Sequence, residues 1–497
     1  MRMRLGAVTA LAVATAMLGA STGTAAADTP GTTWTVDLST AQAAGVAVTD
    51  GTARLAGAGA HRAPATEGGA DIGADVVPTG LLTFPARDLP TPTGQIEARL
   101  DGDAGGATVD VRGLRATGGW TEWVPADPAG AVRLPQPVSR VQSRLVLTDP
   151  AAAVRGVTLT ALPAGPRTEA APDATPRTHR VFATREGLVG GTTSNGHVIV
   201  ERDHFVALPS RRALSTDGSS DYSVKVCAPN GRCAFAPVWD VGPWNTRDDY
   251  WNTADVREEW TDLPTGTPQS QAAFTSGYNG GQDQFGRQVL NPAGIDLADG
   301  VFWDALGLTD NSWVTVEYLW TGSGRLTKVA ADVTAKVLAA PDAAAQVVGL
   351  AAADATVPVQ CRLTSAVGAF LQIGVGQFLD AAAVPDAGNV AACPAAPTRV
   401  ALPAAASTGA AARAPTSTAP ASAAPKASPS VEPNAPGESP VPPGKSPVPG
   451  ESPVPPGESP VPVGESPVPT PPAPTPAPSP SPAPGAPPSG SPQPAPA

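Results

Sequence analysis

Residues 28 to 163 alternate apolar and polar side chains in short runs: TWTVDLS, VAVTDGTARL, QIEARL, ATVDVRGL, AVRLPQP, VQSRLVLT and VRGVTLTAL, with Gly, Asp and Pro between them. A period of two puts successive side chains on opposite faces of a strand, so this region predicts a β-sandwich. The pattern resumes over residues 181 to 322 in HRVFATREG, HVIVERDHFVALP, DYSVKVCAPNGRCAFAPVWDVGP and WVTVEYLW, and again in shorter runs over residues 325 to 394. Within the middle block, Asn230-Gly231 predicts a two-residue hairpin turn that places Cys227 and Cys233 across from each other on paired strands. GIDLADGVFWDALGL has apolar residues at helical spacing behind Asp296, which predicts a helix opening on an acidic cap. Residues 164 to 180 are Pro- and Ala-rich and read as a linker. From residue 395 to 497 the chain is Ala, Pro, Ser, Gly and Thr, with SPVP repeats; it has too little apolar surface to fold and reads as a disordered, extended spacer whose Ser and Thr are open to glycosylation. The chain is therefore mainly β, in several domains.

Composition adds a compartment. Residues 1 to 27 run from Met-Arg-Met-Arg through a short apolar stretch to Ala25-x-Ala27, the layout of a secretory signal peptide. No stretch is long enough to span a membrane. Loss of Arg2 and Arg4 with the signal takes the net charge from −12 to −14, which argues against a nucleic-acid partner. Export makes the pairs Cys227/Cys233 and Cys361/Cys393 read as disulfides. Neither their spacing nor that of the four histidines suits zinc, and no metal or cofactor is expected. Seven of the ten tryptophans fall between Trp239 and Trp320 and all four tyrosines between residues 222 and 318, so the middle block is the best-built domain. Secretion as a monomer is the expectation.

Motif order sharpens the middle block. Thr193-Ser194-Asn195-Gly196, then His204 with Leu208-Pro209, then a strand ending Asp240 with Gly242-Pro243, then Ile295-Asp296-Leu297 and the strand WVTVEYLW together resemble the double-psi β-barrel of rare lipoprotein A and expansins. That resemblance implies a six-stranded barrel acting on cell-wall polysaccharide, with peptidoglycan as the partner. It also implies catalytic roles for Asp240 and His204, as in rare lipoprotein A, and for Asp296, as in expansins; the expansin threonine falls on Thr192 or Thr193. Two departures stand out: Val241 replaces the arginine after the aspartate, and about fifty residues separate Pro243 from Gly294, against about a dozen in rare lipoprotein A, giving an apparent insertion at 245–292. Residues 325 to 394, with VVG and Gly376-Gln377-Phe378, resemble bacterial SH3-like domains, several of which bind wall peptides. GGWTEWVPAD resembles accessory domains of secreted wall amidases, although core packing plus one edge residue is the preferred reading of Trp123 and Trp120.

The chemistry follows from residue type. Glycosidic cleavage needs a carboxylic acid to protonate the leaving oxygen, and an inverting hydrolase needs a second carboxylate to activate water. A lytic transglycosylase needs less, because the sugar's own 6-hydroxyl attacks; Asp240 then serves as acid/base with His204 orienting substrate. Free Asp titrates near ~3.9, so an acidic Asp240 requires shielding. Trp244, Tyr250 and Trp251 sit among polar residues and read as groove aromatics that stack on sugars, whereas Trp239 and Trp303 read as core. Asp296 reads equally as a helix cap and His204 as a half-buried strand histidine. Asp248-Asp249 and Glu258-Glu259 read as solvated surface, with calcium as a remote alternative. A non-catalytic, expansin-like wall binder is the competing function, and a structural or inhibitory wall protein a third.

Overall fold

The computed structural model describes residues 31–56, 79–163 and 175–394. The expected signal peptide and Pro-rich tail lie outside the described residues, as does most of the expected linker. Both cysteine pairs, Cys227–Cys233 and Cys361–Cys393, are disulfides. Among the described residues no helix is long and apolar enough to cross a membrane.

The N-terminal region is a ten-stranded antiparallel sheet enclosing one core of Leu82, Phe84, Ile96, Val109, Val132, Leu145, Val157 and their neighbours. Its long strands, Arg87–Asp103, Ala131–Leu147 and Ala153–Pro163, carry the alternation seen in the sequence. The alternation fails in two places. Residues 143–147 and 109–113 are buried on both faces, because the outer face of these strands docks on the next domain. There Arg144 pairs with Asp110 and donates to the Arg211 carbonyl, while Arg112 lies 4.5 and 4.3 Å from the rings of Trp120 and Trp123 and pairs with Asp221.

The middle domain is a closed barrel of six strands: β1 (Arg177–Glu186), β2 (Val206–Leu208), β3 (Ser223–Cys227), β4 (Cys233–Val241), β5 (Ala293–Ala298) and β6 (Ser312–Tyr318). The ring runs β1-β6-β3-β4-β2-β5 and back to β1. The β1/β5 and β2/β4 pairs are parallel and the other four antiparallel. Exchanging β1 with β4, β2 with β5 and β3 with β6 maps every pairing onto one of the same sense, a pseudo-two-fold that is the double-psi arrangement. The crossover loops obey it too. In the β1–β2 loop Thr192 bridges Val198, Thr193 N–H donates to the His197 carbonyl and Ile199 N–H to Gly191; in the β4–β5 loop Gln282 bridges Gln288, Asp283 N–H donates to Arg287 and Val289 N–H to Gly281. Residues 281–289 are thus the second crossover loop of the fold, and the added material is confined to the segment before them.

Three local expectations are corrected. Strand β1 begins inside the stretch read as linker, with Arg177 already opposite Tyr318. The β3–β4 turn is wider than two residues: Ala228 N–H donates to Arg232, Gly231 N–H donates to Ala228, and only Gly231 is left-handed (φ 84°). Pro229 at the first central position sets a turn of the other hand, with Gly231 completing a three-residue loop. Asp296 lies in strand β5, four residues before a short helical turn at Gly300–Ala305, and so caps no helix. Strand pairing to Thr184 and Ala207 on both sides overrides the helical spacing there.

The third domain is a small β-domain joined to the barrel sheet through Val347–Ala351, which lies parallel to β4. A Cβ on Gly349 would sit 1.7 Å from the Cys233 carbonyl oxygen, so only glycine allows the two backbones this close. Gly376 turns the chain into the final strand, Gln377–Asp380.

Candidate functional site

The barrel's own core takes Val181, Ala183, Val206, Leu208, Val238, Ile295 and Leu297. Alternation then turns Thr184, Glu186, Ala207 and Asp296 to the other side of the wall, and the register shift that sets both Val238 and Asp240 against successive residues of β2 brings Asp240 to that side too. Register places Thr184 beside Asp296, Asp296 beside Ala207, and Ala207 beside Asp240. One level row therefore crosses strands β1, β5, β2 and β4, with Glu186 two residues further along β1. The two acids singled out in the sequence, 56 positions apart, belong to one cluster with a third that sequence reasoning missed.

Each acid is held differently. Asp240 Oδ1 accepts from Ser194 N–H (2.8 Å), Ser194 Oγ–H (2.7 Å) and Val241 N–H (2.7 Å). It is an acceptor fixed by the first crossover loop. Asp296 Oδ1 accepts from Thr184 Oγ1, and burial pushes its carboxyl up to about 7, with Thr184 opposing and Asp240 adding to the rise. Glu186 lies within hydrogen-bonding reach of the Asp240 carboxyl group, and burial first, then Asp240, Asp296 and Asp299, raise it well above the usual carboxylate range. No N–H or O–H donor reaches either Glu186 oxygen. The three acids therefore differ: Asp240 accepts three hydrogen bonds, while burial and neighbouring carboxyl groups favour the protonated form of Glu186 and Asp296.

The cluster is closed. Asp240, Asp296 and Glu186 are 1%, 3% and 4% exposed. The loop Thr192–Val198 covers Asp240 through Ser194, and its far side rests on the N-terminal domain, where a Cβ on Gly196 would meet that of Ala44 at 3.2 Å. Val241 packs with Leu81, Val146 and Leu214; the position where rare lipoprotein A carries arginine is here an apolar contact between domains.

The other site expectations fare unevenly. Thr193 is buried, and its hydroxyl bonds Asn195 within its own loop. His204 is half-buried against Gly300; burial lowers it, and the charges acting on it are those of Asp304, Asp203 and Arg202. The structure does not bring it into the carboxyl row. His197, which was not singled out, stands nearer the Asp240 strand: its Nε2 bonds Asp203 (2.8 Å) and its ring lies 4.7 Å from that of Trp239.

The aromatic assignment is reversed. Trp244, Tyr250 and Trp251 are buried, leaving no face for a sugar. Trp251 stacks on Tyr318, and Tyr250 is bonded to Gly294 and Tyr318. Trp239 is only partly buried and Trp303 is exposed, with Arg185 and Arg202 at 4.6 and 4.9 Å from its ring. Asp248 and Asp249 are likewise buried: Asp248 pairs with Arg257 (2.5 Å) and Asp249 with Arg212 (3.0 Å), so the polar look of this segment is an internal ion-pair network. The sandwich residue Trp123 is buried in the barrel's core, and Trp120 packs at its edge.

Comparison with known proteins bears on the same region. Residues 177–317 match a family model described as Domain of unknown function (DUF8814). That span is the barrel. It runs from the first residue of β1 into β6 and includes both crossover loops and the extra segment before the second, so the enlarged barrel is the unit this chain shares with other sequences. No curated protein matches the chain.

Proposed function

We propose that the protein is secreted and acts on cell-wall polysaccharide, with peptidoglycan glycan strands as the substrate class, and that its barrel cleaves them by acid/base chemistry of the lytic transglycosylase type. The observation that carries this reading is the carboxyl cluster: two acids on one level of a double-psi barrel and a third two residues along β1, one fixed as acceptor and two whose burial favours the protonated form. The resemblance to rare lipoprotein A and expansins supplies the substrate class. The small C-terminal β-domain fits the part of an SH3-like wall-targeting module, and two disulfides fit an oxidising compartment outside the cell. In this reading the loop Thr192–Val198 lifts to admit the glycan, Asp240 exchanges protons with the sugar, and Asp296 supports it.

The test is mass spectrometry of the soluble products after incubating residues 28–497 with purified peptidoglycan, beside Asp240→Asn. Anhydro-muropeptides from the unaltered protein alone support the reading. Reducing-end products mean hydrolysis and bring Asp296 forward as the second carboxylate. No products from the unaltered protein defeats it.

A second reading, a wall-binding protein without catalysis, is favoured by one specific observation: all three acids and the three expected groove aromatics are buried. Firm retention on the wall pellet without released products is its signature.

A further inference from the structure

Glu186 is the least explained side chain of the barrel. It is 4% exposed and both its oxygens are buried without a donor. Buried polar groups are nearly always partnered, and an ionised carboxylate left so costs several kcal/mol. Its hydrogen-bonding neighbour is another carboxyl group, that of Asp240, whose Oδ1 already receives three hydrogen bonds from Ser194 and Val241. Further charge comes from Asp296 on β5 and from Asp299 just beyond it, the latter paired with Arg185 at 2.6 Å. Two carboxyl groups in contact are stable only with a proton between them.

We propose that Glu186 and Asp240 form a single-proton pair, in which Glu186 stores the proton that Asp240 exchanges with substrate. This rests on the acid/base reading of the barrel. Glu186 touches no sugar in this scheme and is a positioning residue that acts through Asp240. During cleavage one proton passes from the pair to the leaving O4 as the C1–O4 bond breaks. The sugar's 6-hydroxyl oxygen bonds to C1, and its proton returns to the pair. One proton leaves and one arrives, so the pair is restored and no water is consumed. That balance suits intramolecular transglycosylation.

The experiment uses the mature chain and Glu186→Gln, which keeps shape and an N–H donor but stores no proton. The first readout is the thermal midpoint against pH. A group raised on folding contributes stability that is complete below its unfolded value of about 4.3 and is lost as pH climbs toward its folded value. The midpoint of the unaltered protein should therefore fall relative to Glu186→Gln as pH rises from about 4.5 to about 8, by some 3 °C or more. Parallel curves overturn the pair whether or not the protein cleaves anything. The second readout is product release from peptidoglycan, expected to drop about 100-fold with one limb of the pH profile removed; an unchanged rate and profile overturns the role. If the unaltered protein releases nothing, the functional reading fails and the thermal curves alone judge the pair. Should Glu186→Gln not fold, carboxyl NMR of glutamate-labelled protein decides: one Glu that stays protonated near neutral pH is expected, and its absence overturns the proposal.

Discussion

Asp240 and Asp296 stand on either side of Ala207, at one level of the barrel wall, on strands that both hydrogen-bond to β2. Strands lie about 4.8 Å apart, so the two backbones are separated by about 10 Å, and only the small alanine side chain stands between the two acids on that face. A larger residue at 207 would hold them apart. The small residue is part of the site's geometry.

Asp296 carries a pH signature of its own. Burial raises it to about 7, whereas the unfolded chain titrates near ~3.9. Its folded value lies above the unfolded one, so its share of stability is full below about pH 4 and is lost as pH rises toward 7. Asp296→Asn is expected to gain thermal stability relative to the parent between about pH 5 and pH 8, with no gain near pH 4. Thr184→Val, which removes the hydrogen bond opposing the shift, should steepen the parent's fall. Thermal melts at four pH values check both, and equal slopes for parent and Asp296→Asn would contradict the assignment.

Strands and both disulfides were legible because alternation, turn residues and cysteine spacing are local, whereas the six-stranded barrel was legible only through the resemblance carried by motif order. Asp240 and Asp296 were legible through motif order. Glu186 was not: it closes a strand before Gly187 like many surface acids, and only the parallel pairing of β1 with β5 brings it to the row. The tryptophans misled for a related reason. Trp251 and Trp320 sit among polar residues because they are ligands of a buried acid: both indole N–H groups donate to Glu122 Oε1, at 2.7 and 2.9 Å. A polar neighbourhood in sequence was the inside of an interface.

Glu122 gives that interface a direct test. Besides the indoles it accepts from Asn252 Nδ2 (2.7 Å) and faces Arg212. Burial pushes its carboxyl up, but Arg212 and the three donors outweigh that and hold it below the usual range. Glu122→Ala leaves the two indole N–H groups without their acceptor and takes one of two carboxylate partners from Arg212 and Asn252, which keep Asp249; removing one member of a buried pair costs about 3–5 kcal/mol. Chemical denaturation should show a loss of that order, against a negligible change for a solvent-facing control such as Glu97→Ala on the same domain. A loss below about 1 kcal/mol would mean the domains do not depend on this contact.

The two disulfides should differ in weight. Cys227 and Cys233 close a short hairpin, with a sequence separation of 6, whose strands are already paired on both sides by β3, β4 and β6. Cys361 and Cys393 are 32 positions apart and tie the segment after the last strand back to the start of another. By loop-closure entropy the first constrains the unfolded chain by about 2 kcal/mol and the second by about 4 kcal/mol. Paired Cys→Ser variants, unfolded in denaturant, should rank in that order. The reverse ranking would show that the hairpin link holds more than its own loop.

Trp303 and Trp251 separate grip from packing. Trp303 is 38% exposed and its ring meets Arg185 and Arg202, contacts worth about 0.5–1 kcal/mol each at an open site. Trp251 is fully buried between Tyr318, Tyr250 and Trp320, where truncation of a large aromatic costs about 3–5 kcal/mol. Arg202 belongs to the β1–β2 crossover, whose outer side presents Leu188, Val189, Val198 and Val200 to solvent. Under the proposed action on cell wall, this exposed indole and the apolar surface beside it are the place to test for a grip on the polymer. Trp303→Ala is accordingly expected to weaken retention on purified cell wall several-fold while shifting the unfolding midpoint little. Trp251→Ala should shift the midpoint strongly and, at temperatures where it is still folded, leave retention intact. Co-sedimentation with wall pellets measures the first and thermal denaturation the second. If Trp303→Ala sediments like the parent, the exposed ring plays no part in wall binding, and the grip must be sought on the small C-terminal domain.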